Sequence, residues 1–271
     1  MTRLAVLGSP IAHSLSPTLH RAAFGVLGLD WTYEAVEATS ADLPRLLDAG
    51  FSGLSLTMPL KRDVLPLLDD LDETAILTGG VNTVLVGERK RGFNTDVDGI
   101  VRAFARSGID RLESVHVLGS GATAASVIAA VRSLGASSVT VFARTPAHAE
   151  PLVHLGAALE LDVAVRPLLT ADRSPATPDL VADTLPGGAD HDLTFPEAVR
   201  RASVLFEVAY HPWPARLARS WFEVGGTVID GLDMLIEQAL VQERIFVGGS
   251  PAVALPEEQH VLAAMRSSVS R

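Results

Sequence analysis

Short apolar runs and helical patterns alternate along the first part of the chain. Residues 4–7 form an apolar run that ends at Gly8-Ser9-Pro10, which predicts a buried strand followed by a turn. Residues 16–27 have a helical pattern, and Pro17 suits the first turn of a helix. The same reasoning predicts strands at 32–36 and 53–57, a hairpin of 81–86 with 91–94, and helices at 42–47 and 98–107.

From residue 115 onward the pattern changes to a repeated alternation of strand and helix. Strands are predicted at 115–118, 139–143, 180–182, 203–208 and 227–229, with a helix at 122–134. Repeated βα units imply a parallel sheet that is covered on both faces, so the chain is predicted to be α/β. The tail returns to helix at 232–246 and 256–265, and residues 171–178 are predicted to form a loop.

Composition narrows the class of protein. The 271 residues are 48% hydrophobic and 20% charged, as in an ordinary globular protein, and the length suits two domains. A net charge of −10 disfavours nucleic acid or an anionic membrane as the principal partner. The absence of cysteine excludes disulfides and cysteine zinc sites and suits a reducing cytoplasm.

No segment of the sequence predicts a membrane span or a signal peptide. The apolar run at the N-terminus is too short for a signal peptide. The longest uncharged stretch, 114–131, is interrupted by Gly119 and Gly121, so a strand, a turn and a buried helix explain it better than a membrane span. We therefore expect a cytoplasmic protein.

A glycine motif follows the strand predicted at 115–118. Residues 119–124, Gly-Ser-Gly-Ala-Thr-Ala, have the spacing G-x-G-x-x-A. The first glycine permits a tight turn, the second lets a pyrophosphate approach the backbone, and the small third residue lets helix and strand pack closely. Free N–H groups at the start of the helix attract phosphate. The motif favours a dinucleotide site over the alternative of a purely structural turn.

The end of the next predicted strand indicates which dinucleotide binds. NAD sites usually place an acid there for the ribose 2′-hydroxyl. This chain has Phe142-Ala143-Arg144-Thr145, with no acid before Glu150. Arg144 can form two hydrogen bonds with a 2′-phosphate, and Thr145 can donate another. NADP is therefore favoured over NAD, although Arg144 also has the simpler interpretation of a solvated loop arginine.

Polar side chains cluster at predicted strand ends in the first hundred residues. Ligands of α/β sheets bind beyond the carboxyl ends of strands. Many neutral donors together with one lysine and one aspartate suit a polyhydroxylated ring. The residues concerned are Ser14, Ser16, Thr57, Lys61, Asn82, Asn94 and Asp96.

Each of these residues also has a structural interpretation. The two serines can cap the first helix, and the two asparagines suit turns in the hairpin. Asp96 suits the N-cap of the helix predicted at 98–107, and a single Lys61 is more often a surface lysine. Their joint occurrence favours the functional interpretation.

Several segments resemble the shikimate dehydrogenase family, and the resemblance extends over nearly the whole chain. The most specific is 8–17, Gly-Ser-Pro-Ile-Ala-His-Ser-Leu-Ser-Pro. The others are 55–61 (Ser-Leu-Thr-Met-Pro-Leu-Lys), 80–83 (Gly-Val-Asn-Thr), 94–96 (Asn-Thr-Asp), Tyr210 within 208–212 (Val-Ala-Tyr-His-Pro), and 231–239 (Gly-Leu-Asp-Met-Leu-Ile-Glu-Gln-Ala).

The resemblance implies an oxidoreductase that reduces 3-dehydroshikimate to shikimate with NADPH, in the route to aromatic amino acids. It implies Lys61 and Asp96 as the catalytic pair. The substrate ligands that it implies are Ser14, Ser16, Thr57, Lys61, Asn82, Asp96, Tyr210 and Gln238. The cofactor is expected to contact Gly119, Ser120, Gly121, Ala122, Thr123, Ala143, Arg144, Thr145, Val208 and Gly231.

The resemblance also implies two domains, the first of them discontinuous. We expect an α/β substrate-binding catalytic domain from residues 1–101, completed by the C-terminal helices in 232–271. Residues 102–231 are expected to form a Rossmann-type NADP-binding domain. No metal is expected, because the histidines show no H-x-x-x-H or H-E-x-x-H spacing. A monomer and a homodimer both remain open.

Three positions depart from the family pattern. Ser55 stands where many relatives carry asparagine, so we expect one ring hydroxyl to be held differently. Ala143 replaces the usual asparagine before Arg144. His148 stands where a second basic residue often contacts the 2′-phosphate. We therefore expect the affinity for the cofactor to be lower or more dependent on pH.

Two alternative functions remain at this point. The first is a quinate dehydrogenase, or one that uses both quinate and shikimate; such relatives often carry threonine at the position of Ser16 and an acid at the cofactor strand end. The second is a non-catalytic sensor of a cyclohexene acid. Lys61 and Asp96 argue against a sensor, because a protein that only binds needs no proton donor.

Overall fold

The structure, a computed structural model, describes residues 1–187, 189 and 192–270. The chain forms two compact units, one of residues 1–99 with 235–271 and the other of residues 100–234. Each unit contains a sheet with helices, so the predicted α/β class is confirmed.

The first unit contains a mixed sheet with the order β2-β1-β3-β5-β6-β4. Its strands are β1 (Arg3–Gly8), β2 (Thr32–Glu37), β3 (Gly53–Leu56), β4 (Asp70–Leu71), β5 (Thr83–Val86) and β6 (Lys90–Phe93). Strand β1 is parallel to β2 and β3, whereas β5 is antiparallel to both β3 and β6. Strands β3 and β6 therefore run in the same direction, and their carboxyl ends lie at the same edge of the sheet.

The helices that begin before residue 100 follow these strands closely in the chain. They are α1 (Ser16–Leu27), α2 (Leu43–Leu47), α3 (Leu60–Asp63), α4 (Glu73–Thr78) and α5 (Asp96–Arg106). Helix α1 buries Leu19, Ala23 and Phe24, which have helical spacing. It ends at Gly28, whose φ of 64° allows its N–H to bond the carbonyl of Phe24.

The second unit contains an entirely parallel sheet with the order β12-β11-β10-β7-β8-β9. Its strands are β7 (Ser114–Leu118), β8 (Ser138–Ala143), β9 (Asp162–Pro167), β10 (Leu180–Asp183), β11 (Val204–Glu207) and β12 (Val228–Asp230). The strand order reverses between β7 and β10, and doubly wound sheets bind ligands at such a reversal.

Helices cover the parallel sheet and continue into the tail. They are α6 (Ala122–Ser133), α7 (Glu150–Ala158), α8 (Glu197–Ala202), α9 (Arg216–Phe222), α10 (Gly231–Gly248) and α11 (Glu258–Ser268). The fully buried Trp221 packs in one core cluster with Phe142 and Leu205. Among the described residues, no helix has the length and apolar character that crossing a membrane requires.

The structure corrects several predicted boundaries. The helix predicted at 42–47 is a 3-10 turn, Ser40–Asp42, followed by α2, because Pro44 occupies the first turn of a new helix. Part of the loop predicted at 171–178 belongs to the 3-10 helix Leu168–Arg173. The helix predicted from residue 98 begins two residues earlier, at Asp96.

Candidate active site

Lys61 and Asp96 form an ion pair in the first unit. Lys61 lies in α3, after the end of β3, and Asp96 is the first residue of α5, after β6. Because both strands end at the same edge of the sheet, the two residues meet although they are 35 positions apart in the chain. Lys61 Nζ lies 2.5 Å from Asp96 Oδ2, and the side chains are 15% and 4% exposed. The ammonium is thus held by a carboxylate and retains limited access to solvent.

Asn82 joins this pair to the C-terminal helix α10. Its Nδ2 donates to Asp96 Oδ1 at 2.7 Å and to Gln238 Oε1 at 3.2 Å. Its Oδ1 accepts from the backbone N–H of Thr95 at 2.9 Å. The structure therefore brings four of the predicted substrate ligands into one network, namely Lys61, Asn82, Asp96 and Gln238.

The structural interpretation of Asp96 as an N-cap is wrong. Helix α5 begins at Asp96 itself, and both carboxylate oxygens are engaged, by Lys61 and by Asn82. Asn94 instead supports the helix start, because its Oδ1 accepts from the Asp96 N–H at 2.9 Å. The carboxylate of Asp96 therefore belongs to the polar network.

Three predicted hydroxyl ligands follow β1 and β3, which are parallel neighbours. Ser14 Oγ accepts from the Ser16 N–H at 3.3 Å, and Ser16 is buried. The N-cap residue of α1 is Leu15, whose side chain forms no capping bond, so Ser14 is the residue whose side chain bonds the first N–H of the helix. Thr57 follows β3 directly, and its N–H donates to the Leu7 carbonyl at 2.9 Å. Their role as substrate ligands stays a prediction.

Tyr210 belongs to the second unit. It lies half-buried in the segment that follows β11. Its predicted contact with the substrate stays a prediction.

The glycine turn after β7 requires glycine in this structure. Gly119 has a φ of +107°, and a Cβ there would lie 2.7 Å from Thr184 Oγ1. Thr184 donates from its N–H and from its hydroxyl to the Leu118 carbonyl, at 3.0 Å and 2.7 Å. Gly121 is the N-cap of α6, a helix end with no side-chain capping bond, and a Cβ there would meet open space. Because no side chain caps this helix start, its first backbone N–H groups suit a bound phosphate.

The segment after β8 exposes basic and hydroxyl side chains, and its contact with NADP stays a prediction. Ala143 is buried, whereas Arg144, Thr145 and His148 are exposed just beyond the strand. An exposed arginine and a hydroxyl after this strand suit a 2′-phosphate. No acid lies between the strand end and Glu150.

Val208 and Gly231 touch at the same edge of the parallel sheet. Val208 follows β11, and Gly231 begins α10 after β12. A Cβ at Gly231 would lie 2.1 Å from the Val208 carbonyl oxygen, so only glycine allows this approach.

Sequence reasoning missed a row of acids that ends three neighbouring strands. Asp183, Glu207 and Asp230 are paired in register at the ends of β10, β11 and β12. Burial and the neighbouring Asp183 and Asp230 raise the pKa of Glu207 to about 8. Asp183 and Glu207 also line a cavity of about 470 Å³ within the second unit, together with Arg216 and Arg219. Each of these acids lies at or beside the end of a predicted strand, so the sequence could have indicated this row.

Sequence comparisons show that the chain is similar to known proteins. The family described as "Shikimate dehydrogenase substrate binding domain" matches residues 6–84. A shikimate dehydrogenase (NADP(+)) of Methanothermobacter thermautotrophicus is 30% identical over 264 residues, covering 93% of each chain. The corresponding protein of Rubrobacter xylanophilus is 33% identical over 261 residues, covering 92% of each chain.

Solved structures of shikimate dehydrogenases are also similar to this chain. The shikimate dehydrogenase of Mycobacterium tuberculosis has a TM-score of 0.83 and 32% identity, covering 98% of this chain and 100% of its own. A Thermus thermophilus shikimate 5-dehydrogenase, solved with NADP(H) and shikimate, has a TM-score of 0.81 and 33% identity, covering 99% and 100%.

Proposed function

Because the chain belongs to the shikimate dehydrogenase family, we propose that it catalyses the reversible NADPH-dependent reduction of 3-dehydroshikimate to shikimate. This reaction serves the biosynthesis of aromatic amino acids. The observation that carries the proposal is the Lys61–Asp96 pair, which Asn82 holds in a buried polar network. The relatives' names give the substrate and cofactor, and the pair supplies the acid–base chemistry that this reaction needs.

The first unit supplies the substrate ligands of this proposal. Lys61, Asn82, Asp96 and Gln238 already form one network, and Ser14, Ser16 and Thr57 add hydroxyls after neighbouring strands. Such neutral donors suit a ring that carries hydroxyls and one carboxylate. Tyr210 is proposed as a further ligand from the second unit. The proposed substrate domain is 1–101 with 232–271, and the proposed cofactor domain is 102–231.

The residues of the second unit fit NADP. The uncapped start of α6 and the open space at Gly121 suit the pyrophosphate, which would contact Gly119, Ser120, Gly121, Ala122 and Thr123. Arg144 and Thr145 would hold the 2′-phosphate beside Ala143, and Val208 and Gly231 would also contact the cofactor. NADPH, when bound, supplies the hydride that reduces the ketone.

Lys61 and Asp96 perform the remaining chemistry. Negative charge develops on the ketone oxygen as the carbonyl carbon is reduced. The Lys61 ammonium stabilises that charge and donates a proton from Nζ to the oxygen, which gives the hydroxyl. Asp96 orients the ammonium through Oδ2, and it would also accept a hydrogen bond from a ring hydroxyl. In the oxidative direction neutral Lys61 removes the hydroxyl proton.

A direct assay tests the proposal. Purified protein is mixed with shikimate and NADP⁺, and NADPH formation is followed by absorbance, with quinate and NAD⁺ in parallel. We expect turnover with shikimate and NADP⁺ to exceed turnover with either substitute. Preference for quinate would identify the alternative dehydrogenase, and binding of shikimate without turnover would identify the sensor.

The cellular setting is part of the same proposal. We propose a cytoplasmic enzyme, monomeric or homodimeric, whose ligands are small molecules. Size-exclusion chromatography with light scattering determines the oligomeric state, and fractionation of the source cells determines the compartment.

A further inference from the structure

A second glutamine lies on α10, one helical turn beyond the predicted substrate ligand. Gln242 is 2% exposed. Its Oε1 accepts from Ser55 Oγ at 2.9 Å and faces the Nε2 of His20 at 3.2 Å. Its Nε2 donates to the Asn82 backbone carbonyl at 3.2 Å and to Thr83 Oγ1 at 3.0 Å. These four bonds use the donors and acceptors of the amide, so Gln242 serves the protein interior and not a ligand.

The carbonyl of Asn82 fixes the direction of the hydrogen bonds that lead to Asp96. A carbonyl oxygen only accepts, so the nitrogen of Gln242 must face it. Thr83 then receives an N–H from Gln242 and donates its own proton to Asn82 Oδ1 at 2.8 Å. With its oxygen occupied by Thr83 and by the Thr95 N–H, the Asn82 amide directs Nδ2 toward Asp96 Oδ1 at 2.7 Å.

The oxygen end of Gln242 is held by a buried pair. Because that oxygen only accepts, His20 must carry a proton on Nε2. His20 Nδ1 lies 2.6 Å from Glu243 Oε1, and both side chains are 0% exposed. Burial raises the pKa of Glu243, and its Oε2 has no hydrogen-bond partner among the described residues. A proton shared between Nδ1 and Oε1 leaves the Nε2 proton of His20 free to donate to Gln242 Oε1.

Ser55 and Tyr33 belong to the same buried group of hydrogen-bonded side chains as Gln242, His20 and Glu243. Tyr33 is 1% exposed, and its hydroxyl donates to Ser55 Oγ at 2.7 Å. Ser55 therefore accepts from Tyr33 and donates to Gln242, which uses its only proton. Ser55, which stands where many relatives carry asparagine, therefore bonds to Tyr33 and Gln242 in the protein interior.

We propose that Gln242 is a positioning residue for the Lys61–Asp96 pair. It acts through Thr83 and Asn82, which keep a donor on Asp96 Oδ1 and leave Oδ2 for Lys61. Hydrogen bonds aligned in one direction strengthen one another in a buried site. The inference rests on the proposed function, because it treats the pair as the site of proton transfer.

A matched pair of variants tests this connection at its middle bond. Thr83→Val keeps the shape of the side chain and removes the hydroxyl, whereas Thr83→Ser keeps the hydroxyl. We expect T83V to lower kcat for shikimate oxidation about tenfold, as for a weakened hydrogen bond to a charged group. KM for NADP⁺ stays unchanged, and T83S retains a kcat close to that of the wild type.

A second variant and an isotope effect separate positioning from a merely structural role. Gln242→Met keeps the length of the side chain and removes its hydrogen bonds, and it should also lower kcat. Shikimate deuterated at the reacting carbon should show a larger isotope effect on kcat in both variants, because chemistry becomes slower relative to product release. Loss of folded protein would lower activity without that increase, and the melting temperature of each variant records it.

The possible outcomes distinguish this inference from the proposed function. If the wild type oxidises shikimate and T83V and Q242M keep its kcat and isotope effect, the positioning role of Gln242 is wrong and the proposed function stands. If the wild type does not oxidise shikimate, both are wrong. A lower kcat with a larger isotope effect in T83V, restored in T83S, supports the positioning role.

Discussion

Replacing Lys61 by methionine removes the ammonium and keeps most of the side-chain stem. In the wild type Nζ lies 2.5 Å from Asp96 Oδ2, and the lysine side chain is 15% exposed, so bulk water does not readily take its place. Loss of a positioned acid lowers kcat by about 10²–10⁴-fold. At about 1.4 kcal/mol per factor of ten, this corresponds to roughly 3–5.5 kcal/mol of lost transition-state stabilisation.

The assay measures kcat and KM for shikimate and NADP⁺, with the dissociation constant of shikimate by calorimetry. A control is available in the same unit, because Lys90 pairs with Asp48 at 3.0 Å while the two side chains are 31% and 73% exposed. Exposed ion pairs contribute little, so Lys90→Met should keep the wild-type kcat. In K61M, kcat should fall far more than the affinity for shikimate.

Two results would refute this reasoning. A wild-type kcat in K61M would remove Lys61 from the chemistry. An unchanged kcat with a large rise in the shikimate dissociation constant would make Lys61 a binding residue only.

Three further predictions concern the second unit. Arg144→Ala should raise KM for NADPH much more than KM for NADH, because only NADPH has the 2′-phosphate; equal effects on both would contradict that contact. Burial lowers the pKa of His116 from 6.5 to about 4, so the stability that its neutral form contributes is present above pH 6.5 and lost as pH falls toward 4. His116→Gln should weaken this pH dependence in urea unfolding, and an identical dependence would refute it. Burial beside Asp183 raises the pKa of Glu207 from 4.5 to about 8, so its contribution is lost as pH rises through that range; Glu207→Gln should remove this loss, and an unchanged alkaline limb would contradict it.

Local patterns predicted much of the fold. The first helix was correct at both ends, because Pro17 and the residue pattern before Gly28 are local signals. The strand, glycine turn and helix from 114 to 133 were also visible, because a short apolar run, two glycines and a helical pattern occur in succession. Strands β4 and β9 were missed. The first has only two residues, and the second is polar at both ends, so neither has a clear apolar run.

The candidate site shows where sequence reasoning stops. Lys61 and Asp96 were paired through a family resemblance, because nothing local indicates that residues 35 positions apart meet. The contact depends on the direction of β5, which places the ends of β3 and β6 at one edge. The buried group of His20, Gln242 and Glu243 was missed because His20 lies 222 and 223 positions before the other two residues, and all three lie in ordinary helical patterns.

A crystal structure of the protein with shikimate and NADP⁺ would show whether Lys61 and Asp96 contact the reacting hydroxyl. We expect the shikimate hydroxyl undergoing oxidation to lie within hydrogen-bonding distance of Lys61 Nζ and close to Asp96. We also expect the 2′-phosphate to contact Arg144. Shikimate bound with that hydroxyl away from both Lys61 and Asp96 would refute the proposed role of the pair.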